Sequence, residues 1–270
     1  MRHWTLDNIP WDRFDPAKVN PVVLKAIKAS AMVEANGEDY GAYLCQVFHD
    51  DPEFQQVARE WAMEEIQHGQ ALGRWARLAD PSFDYDDSLR RFTDGYKIPL
   101  DVEKSVRGSR SGELVARCIV ETGTSTYYTA LMDAVDEPVL KEICRNIAAD
   151  EFRHYKLFYS YLKRYLDRER LGLWGRLRVV LRRLIESHDD ELAYAFFAAN
   201  TSGETYQRRR FSKAYARCAY PLYRRAHVER AISMALKACG LNPTGRLSRW
   251  LSDAACGFLR YHAAKLNASA

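Results

Sequence analysis

Along most of this chain apolar residues recur at spacings of three and four, the period of a helix with one buried face. Pro21 suits the first turn of a helix that runs to about Phe48. Asp50-Asp51-Pro52 reads as a stop followed by a new start, and the next helix runs to about Ala79, where Asp80-Pro81 ends it. Residues 80–108 are polar and irregular in pattern, with room for a short helix near 100–107. Ser109 or Ser111 can cap a third long helix ending near Val135, and Glu137-Pro138 opens a fourth that continues to about Arg170. Beyond Gly172 the pattern predicts helices over roughly 174–200, 203–239 with a break at Pro221, and 243–266. The longest apolar run, Leu192 to Ala199, is far short of a bilayer span.

Two of the long helices carry the same four-residue pattern. Glu65-Ile66-Gln67-His68 and Glu151-Phe152-Arg153-His154 are Glu-x-x-His units, and each follows an isolated glutamate at nearly the same distance: Glu34 lies 31 residues before Glu65, and Glu121 lies 30 before Glu151. Residues three apart share a helix face, so each unit can aim a carboxylate and an imidazole at one point. A Glu from each of two helices plus a Glu-x-x-His from each of two others is the ligand set of di-iron and di-manganese carboxylate bundles. Four carboxylates carry about −4 of charge, enough to neutralise two divalent ions; without metal they would repel one another and take up protons. Both units sit among apolar residues: Trp61, Met63, Ile66, Leu72 and Trp75 around the first, Ile147, Phe152, Leu157 and Phe158 around the second. The expected architecture is all-α: an N-terminal arm over 1–18, a ferritin-like dimetal four-helix bundle over 19–170 with a long crossover between bundle helices 2 and 3, and a C-terminal helical extension over 171–270 packed on that bundle. Glu186, His188, Asp189, Asp190 and Glu191 form a further polar cluster, read as a solvated turn of helix rather than a ligand set.

Charge and cysteine content refine this picture. The net charge of +4 hides an asymmetry, since residues 161–270 hold 21 Lys and Arg against 9 Asp and Glu, whereas residues 1–160 hold 19 against 27. The ligand set lies in the acidic part. The basic part suits an anionic carrier protein, an anionic membrane surface or nucleic acid, besides plain solvation. None of the six cysteines forms a Cys-x-x-Cys pair, so they read as small buried thiols rather than as a disulfide framework or a metal site. The first residues lack the apolar core of a signal peptide, and the expected location is the cytoplasm.

The motifs also resemble a known family. Trp61-Ala62-Met63-Glu64-Glu65-Ile66-Gln67-His68-Gly69 resembles the Trp-x-x-Glu-Glu-x-x-His-Gly stretch of the soluble acyl-carrier-protein desaturases, and Ile147-Ala148-Ala149-Asp150-Glu151-Phe152-Arg153-His154 resembles their Ile-Ala-Ala-Asp-Glu-x-Arg-His stretch. The resemblance covers about residues 30–165 and identifies the ferritin-like di-iron superfamily. It implies that Glu34, Glu65, His68, Glu121, Glu151 and His154 hold two irons that activate O₂, an Fe/Fe pair or else Mn/Fe. It also implies supporting roles. Glu64 and Asp150, each preceding a ligand glutamate, orient ligand histidines; Arg153 pairs with buried acids; Thr124, three residues after Glu121, is the candidate catalytic hydroxyl. Gln67 stands where the desaturases have Arg. Leu72 occupies the position at which a ribonucleotide reductase small subunit would place its radical tyrosine, which argues against radical storage.

The function these residues support is an O₂-activating oxygenase or desaturase acting on a hydrophobic or carrier-bound substrate. The alternative is a ferroxidase or rubrerythrin-like peroxidase with no organic substrate, for which the residues beyond 170 serve no purpose. No redox domain accompanies the bundle, so electrons would come from an external donor, a ferredoxin or a flavin reductase. An acidic acyl carrier protein is a candidate partner, nucleic acid is disfavoured for lack of any motif, and a homodimer is an open option.

Overall fold

The computed structural model describes residues 4–102, 104–186 and 190–268. Among them no strand occurs, and the fold is an all-α, ferritin-like helical bundle. The helices are α1 (Pro21–Ala35), α2 (Gly37–Val47), α3 (Pro52–Ala79), α4 (Tyr85–Gly95), α5 (Arg110–Ala134), α6 (Pro138–Glu169), α7 (Leu173–Glu186), α8 (Asp190–Asn200), α9 (Arg208–Ala219), α10 (Arg225–Cys239) and α11 (Arg246–Ala268). None of the described helices is long and apolar enough to cross a membrane.

The start signals in the sequence are the caps. Asn20 accepts from the backbone N–H of Val22 (2.9 Å) and Val23 (3.3 Å) ahead of Pro21. Asp51 accepts from Phe54 N (3.1 Å) ahead of Pro52, and Ser109 Oγ accepts from Gly112 N (3.0 Å). Several expected boundaries move. The helix expected from Pro21 to Phe48 is two helices, broken at Asn36. The polar stretch after Ala79 contains α4, started by Asp84, whose carboxylate accepts from Asp87 N (2.9 Å). The described residues of 100–107 hold no helix, and the segment expected to start at 203 starts at Arg208. Polarity hid α4 because it buries only Tyr85, Ser88 and Phe92.

The described residues fall into two compact units. The first draws on three stretches of chain, within 4–102, 132–146 and 190–219. Its centre is α1, which packs against both α3 and α8; Ala26, Ile27, Ala29, Ala31 and Met32 are fully buried, so this helix is apolar nearly all round. Gln55 Nε2 donates to the carbonyls of Cys45 (3.1 Å) and His49 (3.2 Å), satisfying the end of α2 from the first turn of α3. Glu137 ties three segments together: it accepts from Asp15 N (3.1 Å), from Trp75 Nε1 (2.7 Å) and, as the cap of α6, from Leu140 N (2.7 Å).

The second unit draws on 104–131, 147–186 and 220–268. In it Glu169 near the end of α6 accepts from the N–H groups of Arg110 (3.2 Å) and Ser111 (2.7 Å) at the start of α5. Tyr155 on α6 donates to Met234 O (2.8 Å), and Arg230 donates to Ser125 O (3.0 Å) and Thr129 Oγ1 (2.6 Å), fastening α10 to both α6 and α5.

Replacing Glu137 by Ala should cost about 2–4 kcal/mol, because it removes a helix cap and leaves the buried Trp75 N–H without an acceptor. Glu137→Gln, which keeps an acceptor oxygen, should cost less than half of that. Urea midpoints of the three proteins check the order; equal midpoints would remove the role assigned to this carboxylate.

Candidate functional site

In the first unit Glu34 near the end of α1 meets Glu65 and His68 on α3, and all three are buried. His68 Nδ1 lies 3.8 Å from Glu34 Oε2 and 3.9 Å from Glu65 Oε2. The helices approach closely here because two residues have no side chain. A Cβ on Gly69 would sit 2.6 Å from Ala35 N, and one on Gly37 would sit 2.6 Å from Glu65 Cβ. Gly69 directly follows the ligand-type histidine, so the glycine quoted in the motif has a steric reason. The N-terminal segment closes over this triad. The Trp4 ring lies parallel to that of His68, centroids 6.0 Å apart, and Gln67 Nε2 donates to Trp4 O (3.1 Å). Nothing in the sequence pattern signalled Trp4, because its contact depends on three short 3₁₀ turns that lead the arm back over α3.

The second unit repeats the arrangement. Glu121 on α5 meets Glu151 and His154 on α6, again all buried, with His154 Nδ1 3.7 Å from Glu121 Oε2 and 3.9 Å from Glu151 Oε2. Thr124 Oγ1 donates to Glu151 Oε2 at 2.5 Å and also lies 3.3 Å from Val120 O, so its hydroxyl is engaged with the triad as well as with its own helix. Burial first, and then the Glu151 carboxylate, push the Glu121 carboxyl up to about 8, against the opposing pull of His154.

Within each triad the candidate ligand atoms lie within 4.8 Å of one another. Two donors bound to one ion at about 2.1 Å stand about 3–4 Å apart, so both triads fit a metal ion held by one imidazole and two carboxylates. Both carboxylate oxygens of Glu121 are buried with no hydrogen-bond donor among the described residues, an arrangement that costs energy unless a proton or a cation answers it. Imidazole with carboxylate suits iron or manganese better than magnesium or calcium.

The supporting residues are placed as follows. Arg153 Nη1 pairs with the buried Asp150 at 2.5 Å. Glu64 is half-buried beside Glu65. Trp61, Leu72 and Trp75 are buried, as are Ile147 and Phe158, but Met63 and Phe152 face solvent, so the apolar surroundings expected of each triad helix do not extend to its outer side. The cluster near 190 is also not as expected. Glu191 is buried and accepts from Tyr40 Oη at 2.5 Å, and Asp190 accepts from Tyr206; the side chain of Glu186, together with His188 and Asp189, lies outside the described residues. Among the described cysteines Cys118 and Cys144 are buried with thiols raised by burial, and they take no part in a ligand group.

The raised Glu121 carboxyl sets a pH dependence for the metal-free protein. Its folded form holds a proton up to about pH 8, whereas an unfolded carboxyl releases it near the ordinary carboxylate value. The native state therefore binds more protons between those limits, and stability falls as pH rises through the interval. Chelator-treated protein should lose at least about 1 kcal/mol between pH 5.5 and pH 8, the value of a single pKa unit, and Glu121→Gln should flatten the profile. A profile that rises over this range in the parent would contradict the assignment.

A search of curated proteins finds no match to the chain. The family model described as fatty acid desaturase matches residues 43–187, a span that includes Glu65, His68, Glu121, Glu151 and His154 and begins after Glu34. More than half of the sequence is thereby covered, and with the two Glu-x-x-His triads inside or adjoining that span, the chain belongs to the fatty acid desaturase family.

Proposed function

We propose that the protein is a dimetal O₂-dependent desaturase or oxygenase acting on a hydrophobic, acyl-type chain, with Glu34, Glu65 and His68 holding one ion and Glu121, Glu151 and His154 the other. The observation that carries this reading is the repetition of one buried triad on two helix pairs in a fatty acid desaturase family member. Iron is the metal of choice, with a manganese–iron pair as the alternative. When bound, the metals would supply the reductive activation of O₂ needed to attack an unreactive C–H bond.

The chain's own residues do the rest. Glu121, held protonated by burial, would release that proton to solvent when a cation bound, and the ion's charge would offset the carboxylate so formed. Thr124 holds one oxygen of Glu151 by its hydroxyl and thereby fixes the carboxylate's plane; it is a positioning residue in this reading, and its hydroxyl is the nearest candidate for handling protons at the triad. Asp150, itself neutralised by Arg153, and Glu64 stand next to ligand glutamates, where an acceptor for a histidine's second N–H is required. Trp4 over His68 limits water at the first triad. Electrons come from an external ferredoxin or flavin reductase. Basic residues beyond 160 suit an acidic acyl carrier as substrate bearer, and the location is cytoplasmic. The ferroxidase or rubrerythrin-like alternative is the weaker reading, since family membership points to a lipid substrate.

Purified protein loaded anaerobically with ferrous iron should retain about two metals per chain, and Glu151→Ala or Glu65→Ala should lose at least one. Asp150→Asn should weaken metal binding roughly 10–100-fold. Loaded protein given reductant, O₂ and acyl substrates should yield products that lack two hydrogens or carry one added oxygen, read by mass spectrometry. Full occupancy in Glu151→Ala would sink the ligand assignment, and peroxide consumption without any altered acyl product would favour the peroxidase.

A further inference from the structure

Helix α7 carries its apolar side outward. Trp174, Leu181 and Ile185 fall within a narrow arc of the helix and are 83, 60 and 74% exposed. Arg178 and Arg182 border the same arc and are also exposed. The inner side buries Val179 and Val180 but also carries the half-buried Arg176 and Arg183. Arg176 reaches the C-terminal end of α10, where a Cβ on Gly240 would stand 2.8 Å from its Nη1, and where the terminal carbonyls of a helix attract a cation. A helix that docks on its own unit partly by arginines while its broadest apolar stripe faces water reverses the usual arrangement. The same unit does this twice. On α11, Leu247, Trp250, Phe258 and Tyr261 share one face and are 46, 66, 46 and 64% exposed. Residues 171–185 contain four arginines and no acid.

We propose that α7, together with α11, binds the protein to the surface of a bilayer containing anionic lipid. The proposal goes beyond the metal chemistry and does not depend on it; it names where a lipid-acting member of this family meets its substrate pool. Three features favour this occupant. Trp and Tyr at the ends of outward stripes suit the boundary between headgroups and acyl chains. Arginines beside those stripes match anionic headgroups, while a two-fold pairing of α7 with a second copy would bring Arg178 and Arg182 of both chains together. An acidic carrier protein would be met by the arginines alone and would leave Trp174 and Ile185 in water. Since none of the described helices can span a membrane, the association is interfacial.

The test is co-sedimentation of the full-length protein with vesicles, read without turnover. Vesicles of phosphatidylcholine mixed with phosphatidylglycerol should bind the parent about tenfold or more tightly than phosphatidylcholine alone, with affinity falling as salt rises. The triple change Trp174→Glu, Leu181→Glu and Ile185→Glu, all at exposed sites, should lower that affinity at least about tenfold while leaving metal content and thermal midpoint unchanged. A parent that stays in the supernatant with anionic vesicles overturns the proposal, as does a triple variant that binds like the parent. So does a parent dimer in sedimentation that the variant loses, which would assign the face to a second copy, or capture of an acidic carrier protein without vesicle binding. Failed metal loading with intact vesicle binding would count against the proposed chemistry alone.

Discussion

A carboxylate removed from water must be answered by a donor, a cation or a proton, and how this chain answers each buried acid sorts structure from chemistry. Glu137 receives hydrogen bonds from a distant backbone, an indole and its own helix start, and is a fastener. Glu113 is met by Ser105 Oγ at 2.7 Å and by Arg117 at 3.6 Å, and is likewise settled by the protein. Glu121 is different: His154 Nδ1 stands 3.7 Å from it, longer than an ordinary hydrogen bond, and its carboxyl is pushed far above the ordinary range. An acid in that condition, facing an imidazole and a second acid, holds its proton unless a cation takes its place. Buried carboxylates are a poor way to gain stability, and this chain repeats one buried grouping of two carboxylates and an imidazole on two helix pairs.

The triads also set steric demands. A triad needs its helices near enough for short side chains to converge, and the glycines at 37 and 69 permit this approach where any side chain would collide with α1 or α3 backbone or with Glu65 itself. The break at Asn36 serves the same end. It ends α1 at Ala35, one residue after Glu34, and α2 then packs on α3 as α1 does. Thr124 adds the finer adjustment, a hydroxyl fixing one carboxylate oxygen.

Much of this was legible in the residues. The Glu-x-x-His units, the matched upstream glutamates, the proline and aspartate starts and the helical class are all local patterns, and local patterns survive without knowledge of the tertiary fold. What could not be read depends on distant partners. Asn36 breaks a helix that propensity alone would continue. Met63 and Phe152 face solvent although their apolar character suggests core, because apolar character does not say which side of a helix is covered. The polar run around Glu191 suggests a solvated turn, but Tyr40, 151 residues earlier, reaches it. Trp4 is positioned by a run of 3₁₀ turns with no periodic signature. The arginines of α7 looked like a general basic surface, and only the packing reveals that two of them turn inward and release an apolar face.

The first unit is assembled from stretches separated by residues that belong to the other unit, and this has a consequence for how the chain is made. α1 and α3 leave the ribosome early, but α8, which covers another side of α1, begins at Asp190. At about 5–20 residues per second, the interval between the end of α3 and the start of α8 is on the order of 10 s. During that time the apolar flank of α1 and the freshly gathered glutamates are exposed to everything in solution. Nascent protein therefore passes through a period in which chaperones can hold it and solutes can reach its acids before the permanent neighbours of α1 exist.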